Sequence, residues 1–202
     1  MNAVRPLDVS DAATAQAVVV LQREAYAVEA ALIGSNGIPA LTQSLEAVQA
    51  AGEDWLGMSD GEGLLGAVSW RELDVGTVDI HRLIVAPRAF RLGVATALLD
   101  ALDSRFPDRP MVVSTGRDNA PARRLYERRG FGLVRDREVM PGLWIAELAR
   151  PDLGSIPANG RHAARDDPPR RWLPVLGAAL LAFDRAAEQA RLDDVRRVPG
   201  SA

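Results

Sequence analysis

The chain changes its hydrophobic period between Thr77 and Leu102, and that change limits the folds open to it. TVDIHRLIVAP, Thr77–Pro87, reads as a strand, whereas GVATALLDALDSRF places Ala95, Leu98, Leu99 and Leu102 at helical spacing. A strand that feeds directly into an amphipathic helix belongs to a sheet with a helical layer packed on it. Similar signals recur on both sides. Ala3–Asp8 reads as a first strand, and Ala12–Leu32 as a helix with Asp8 or Ser10 as its cap. GSNGIPA breaks that helix, and a second helix is expected over Leu41–Ala51. Trp55–Ser59 and Gly63–Leu73 read as strands joined by the turn SDGEG. Beyond the period change come a buried-type strand, PMVVSTG, and a short helix, NAPARRLYERR. Two last strands follow, GFGLVRDREV and GLWIAELAR. The predicted order is β, α, α, β, β, β, α, β, α, β, β. It describes an α/β fold over residues 1–150, with a mixed, mostly antiparallel central sheet and helices on both faces.

After Arg150 the composition shifts. Pro151–Arg171 holds four prolines, two glycines and charges of both signs, so residues 151–172 read as a linker. Residues 173–202 read as a C-terminal amphipathic helix and tail, in which Leu176, Leu180, Phe183, Ala187 and Ala190 form one apolar stripe. That stripe calls for a partner: its own domain, a second copy of the chain in a homodimer, or a membrane surface.

Composition removes several classes of function. A net charge of −3 gives no general attraction to nucleic acid or to an anionic membrane. No uninterrupted apolar run approaches the ~20 residues of a spanning helix, and the N-terminus lacks the pattern of a signal peptide. The sequence contains no cysteine, which excludes disulfides, thiolate metal sites and cysteine nucleophiles. No metal site is expected, and the absence of cysteine fits a cytoplasmic protein. All 24 basic residues are arginine, so the protein has no lysine of its own to modify.

Two stretches carry chemistry. In IHRLIVAPRAFRLGVATALL, a loop with Arg88 and Arg91 leads through Gly93 into a helix, whose unpaired N–H groups and partial positive charge favour an anion. In VSTGRDNAPARRLYERRGF, Asn119 is placed to cap a helix, with Pro121 in its first turn and Gly130 just past its end. Asn119, Ala122 and Tyr126 fall at i, i+3 and i+7, on one helical face.

Together these segments resemble the acyl-CoA-binding core of the GCN5-related N-acetyltransferase superfamily. Val85-Ala86-Pro87 followed by Arg91-Leu92-Gly93-Val94-Ala95 is similar to that family's strand end and Gly-x-Gly/Ala loop. Asn119, Ala122, Leu125, Tyr126, Gly130 and Phe131 match its second motif without a gap. One position departs: Phe90 stands where the family usually has arginine or glutamine.

The resemblance implies acetyl transfer from acetyl-CoA to a primary amine by direct attack in a ternary complex. The strand Leu83–Ile84–Val85 would part from PMVVSTG and pair with the pantetheine arm. The N–H groups from Leu92 to Thr96 (Leu92, Gly93, Val94, Ala95, Thr96), with Arg88 and Arg91, would hold the pyrophosphate. Asn119 and Ala122 would line the arm, and Arg123 and Arg124 would meet the nucleotide phosphates. Tyr126 would act as general acid toward the departing sulfur. Asp79, His81 and Glu72 are candidates to remove the amine proton, and an N–H near Val85 would polarise the carbonyl. Tyr26, Glu29 and Ile33–Leu41 are candidates for the acceptor, expected to be a small-molecule amine. The rival readings are a non-catalytic acyl-CoA-binding module and a protein N-terminal or lysine acetyltransferase.

Overall fold

A computed structural model describes residues 3–34, 41–73 and 76–151. The expected linker and C-terminal helix lie outside these residues. The eleven elements follow the order read from the sequence: β1 (Val4–Pro6), α1 (Ala12–Ile33), α2 (Leu45–Gln49), β2 (Asp54–Asp60), β3 (Gly63–Glu72), β4 (Val78–Val85), α3 (Val94–Arg105), β5 (Met111–Gly116), α4 (Ala120–Arg128), β6 (Gly132–Met140) and β7 (Leu143–Arg150). They form one seven-stranded sheet in the order β1-β2-β3-β4-β5-β7-β6. Every neighbouring pair is antiparallel except β4 and β5.

Local chemistry explains the boundaries and corrects two of the expected ones. The cap of α1 is Asp11, whose Oδ2 accepts from Thr14 N–H at 2.8 Å. Asp8 instead accepts from Ser10. Ser44 caps α2, accepting from Ala47 N–H at 3.2 Å, so that helix is a short Leu45–Gln49 rather than one starting at Leu41. Gly34 ends α1 in the left-handed region, with φ 65°.

The core joins the two helical layers to the sheet. Trp70, Ile80, Leu98, Leu102, Met111 and Leu148 are among the fully buried side chains. On the face bearing α3, Trp70 meets Phe106 edge-on at 5.8 Å. Gly66 admits α3 to this face, because a Cβ there would lie 2.6 Å from Val94 Cγ1 and 3.0 Å from the Ile84 carbonyl. We therefore expect Gly66→Ala to destabilise the fold by about 1–3 kcal/mol through overpacking. Urea denaturation of the variant checks this; an unchanged midpoint would show that α3 sits further from β3.

Candidate active site

The site begins where the sheet fails to close. β4 and β5 pair through only three positions, Val78↔Met111, Asp79↔Val112 and Ile80↔Val113. Beyond them β4 continues to Val85 beside β3, and β5 continues to Gly116 beside β7. The cause lies partly in β4. Opposite Ser69 and Trp70, β4 has one extra residue, His81, which makes a β-bulge. Ala86 N–H donates to Leu65 O on β3, so by strand alternation the N–H groups of Val85 and Leu83 face the opening toward β5. Both residues are half-buried, and backbone donors withdrawn from the sheet need another partner. The parted seam is therefore a strand-shaped slot with donors along one edge.

At the open end of β4 a 3-10 turn, Pro87–Ala89, leads into α3. Arg91 and Gly93 both take left-handed backbone conformations, with φ 62° and 79°. A Cβ on Gly93 would meet nothing within 4 Å, so the glycine is required by its φ rather than by crowding. The first α3 bond runs from Ala97 N–H to Gly93 O, which leaves the N–H groups of Val94, Ala95 and Thr96 without intrahelical acceptors. An open cleft of about 560 Å³ adjoins this turn, lined by Thr96, Leu125, Arg128, Arg129, Asp103 and Arg150. Arg129 donates to Thr96 O and pairs with Asp103, tying α4 to α3.

β5 leads into α4, which Asn119 caps and which buries Tyr126. Asn119 Oδ1 accepts from Ala122 N–H at 3.1 Å, confirming it as the cap of α4. Tyr126 is 3% exposed and packs edge-on against Phe131 at 5.4 Å. Its hydroxyl has no hydrogen bond among the described residues. Burial pushes the phenol pKa up, with smaller contributions from Tyr26 and the Glu29 charge, so it stays protonated at neutral pH. Tyr26, on α1, is raised likewise by burial, partly offset by Arg82. From the same helix, Glu29 Oε1 accepts from Asn119 Nδ2 at 2.9 Å and from Gly116 N–H at 3.4 Å.

The bulge gathers a charged cluster on the α1 face. His81 Nδ1 lies 3.2 Å from Glu53 Oε1, and Nε2 lies 3.1 Å from Asp79 Oδ2. Arg82 pairs with the other Glu53 oxygen at 3.0 Å. Burial alone would lower the pKa of His81, but its hydrogen bonds to Asp79 and Glu53 outweigh this and bring it up to about 9. Burial also raises the Glu53 carboxyl; the His81 hydrogen bond and the Arg82 and His81 charges prevail and hold it below its usual range. At neutral pH the ring is thus an imidazolium, with one nitrogen directed at an oxygen of Glu53 and the other at an oxygen of Asp79.

The other candidates have contacts of their own. Arg88 points to the β2–β3 turn, where it is bidentate to Asp60 at 2.7 and 3.2 Å and holds that carboxyl at about 2. Its guanidinium is thereby engaged, while Arg91 in the same loop is exposed. Glu72 pairs with Arg109 at 2.8 Å on the far end of β3. Arg123 donates to Arg117 O at 3.2 Å, and Arg124 is exposed. Glu53 had no sequence signal, because a glutamate before a strand resembles any solvated strand end. Only the β4 bulge brings it to His81.

A seven-stranded sheet parted between β4 and β5, with a helix N-terminus at the open end, makes a slot for an extended chain beside a seat for an anion. The chain belongs to the Acetyltransferase (GNAT) family, whose family model matches residues 25–131. In fold it is similar to the PaiA N-acetyltransferase of Thermoplasma acidophilum, solved in complex with coenzyme A. That likeness has 16% identity and a TM-score of 0.59, over 73% of this chain and 98% of that one. It is also similar to the Escherichia coli ribosomal-protein-S18-alanine N-acetyltransferase, at 17% identity and a TM-score of 0.59, over 83% of this chain and 99% of that one. Among curated proteins, the UPF0157 protein YqkA of Bacillus subtilis is 32% identical over 137 residues. This match spans 67% of the present chain and 40% of that relative's length.

The ion cluster carries a stability prediction. The folded-state pKa of His81 lies above the ~6.5 of a free histidine, so its contribution is full below about pH 6.5 and is lost as pH rises through about 9. The difference in unfolding free energy between the native protein and His81→Gln should shrink by about 3 kcal/mol across that window. Urea titrations at pH 6 and pH 10 measure it, and a constant difference would rule the cluster out.

Proposed function

We propose that the protein transfers an acetyl group from acetyl-CoA to the primary amine of a small molecule, by direct attack within a ternary complex. The observation that carries this reading is the parted β4–β5 seam, with the first turn of α3 at its open end and the protonated Tyr126 at its side. Acetyl-CoA supplies an acyl group activated as a thioester. The N–H groups of Leu83 and Val85 fit an extended arm as another strand would. The free N–H groups of Val94, Ala95 and Thr96, with Arg91, suit a pyrophosphate. Arg128, beside Thr96 in the adjoining cleft, adds positive charge for the nucleotide end.

The residues divide the chemistry between them. As the amine nitrogen bonds to the carbonyl carbon, the carbon–sulfur bond breaks and negative charge moves to sulfur. Tyr126 donates a hydrogen bond to that sulfur. Its raised pKa makes it a steady donor rather than a strong acid, because a thiol near pKa 8.5 holds its own proton less tightly. The proton leaving the nitrogen passes to the Asp79–His81–Glu53 cluster and on to water. Since His81 releases its own proton only near pH 9, the cluster accepts best on the alkaline side. A strand N–H near Val85 polarises the carbonyl.

A pooled panel of primary amines, acetyl-CoA and a thiol-reactive dye test the reading directly, since a chain without cysteine contributes no thiol background. Amine-dependent release of coenzyme A is expected. Tyr126→Phe should lower kcat about 100-fold while coenzyme A affinity stays within twofold. Release without an amine requirement, or unaltered in the variant, would refute the assignment. The pH profile gives a second check. We expect kcat/KM to rise with pH through about 9, and His81→Gln to remove the titration that the histidine adds to the amine's own; superimposable profiles would exclude His81.

A further inference from the structure

The slot has two edges, and its β5 edge is completed by a residue from α1. Glu29 Oε1 gathers three donors that border the opening: Asn119 Nδ2 at 2.9 Å, Gly116 N–H at 3.4 Å and Thr115 Oγ1 at 3.5 Å. Asn119 is thereby fixed at both ends of its amide. Oδ1 accepts from Ala122 N–H, and one Nδ2 hydrogen goes to the carboxylate. The reverse orientation of the amide would set its NH₂ against an N–H and its oxygen against a carboxylate. Only one orientation satisfies both neighbours, so the direction of the second Nδ2 hydrogen is also set. Glu29 Oε2 has no hydrogen bond among the described residues.

We propose that Glu29 is a positioning residue for the acyl donor. This rests on the reading of the seam as the donor slot. Glu29 aims the remaining Asn119 amide hydrogen toward the donor arm, and its bond from Gly116 N–H anchors the carboxylate for that task. The resemblance makes Glu29 a candidate for the acceptor, and its Oε1 is engaged with Asn119, Gly116 and Thr115. Because α1 also carries Tyr26, one helix links the acceptor side to the donor edge.

Calorimetric titration of the full chain with coenzyme A tests this without knowledge of the acceptor. Glu29→Ala should weaken coenzyme A about tenfold. Glu29→Gln, whose amide oxygen accepts from the same three donors, should stay within threefold of the native protein. In an Asn119→Ala background, Glu29→Ala should change the affinity by no more than twofold, because the group it positions is gone. A general loss of structure would not disappear in that background. Glu29→Ala within twofold of native, or effects that add in the double variant, would overturn the proposal. If Glu29→Ala lacks a cooperative melting transition, Glu29→Met, of similar length but without a strong acceptor, replaces it under the same criteria. Absence of coenzyme A binding by the native protein would overturn the donor-slot reading itself. Native binding with an indifferent Glu29 variant would overturn this inference alone.

Discussion

Everything in the site follows from the parting of two parallel strands. After Ile80 and Val113, β4 stays with β3 and β5 stays with β7, and the hydrogen bonds between them stop. The loss is tolerable only if the freed groups find other partners. On the β5 edge Gly116 N–H is answered from within the chain by Glu29. On the β4 edge Leu83 and Val85 face the opening. A sheet in this condition is incomplete in one direction, and its incompleteness has the dimensions of an extended chain.

The bulge at His81 couples this backbone feature to side-chain chemistry. One extra residue shifts the outward N–H groups from Val78 and Ile80 at the base of β4 to Leu83 and Val85 at its open end. The same irregularity brings His81 and Arg82 both within reach of Glu53, which regular alternation would prevent. Two carboxylates then meet one imidazole. The two carboxylates keep the imidazole charged against the cost of burial, and that charge in turn helps to keep Glu53 ionised.

The order of elements was legible in the sequence because each announced its own period and its own stops. Gly93, Asn119, Pro121 and Gly130 mark their helix ends by conformational chemistry that acts locally. Partners distant in sequence were not legible. Asp60, 28 positions before Arg88, turns a candidate phosphate ligand into half of an ion pair. Glu29 reaches Asn119 across 90 positions, and nothing in a helix-surface glutamate indicates that contact. The bulge too was hidden, since it arises from the register of β3 against β4 and leaves no mark in TVDIHRLIVAP. Tyr126 was legible as one of only two tyrosines, set seven places after a helix cap. Its burial and the raised pKa that follows depend on Phe131 and α1.

Amide hydrogen exchange, with and without coenzyme A, tests the central claim most directly. New protection is expected at Leu83 and Val85 and in the first turn of α3, Val94–Thr96, with little change at the base of β4, where Val78–Ile80 are already paired. Protection spread evenly over the sheet, or confined to a surface away from the seam, would contradict it.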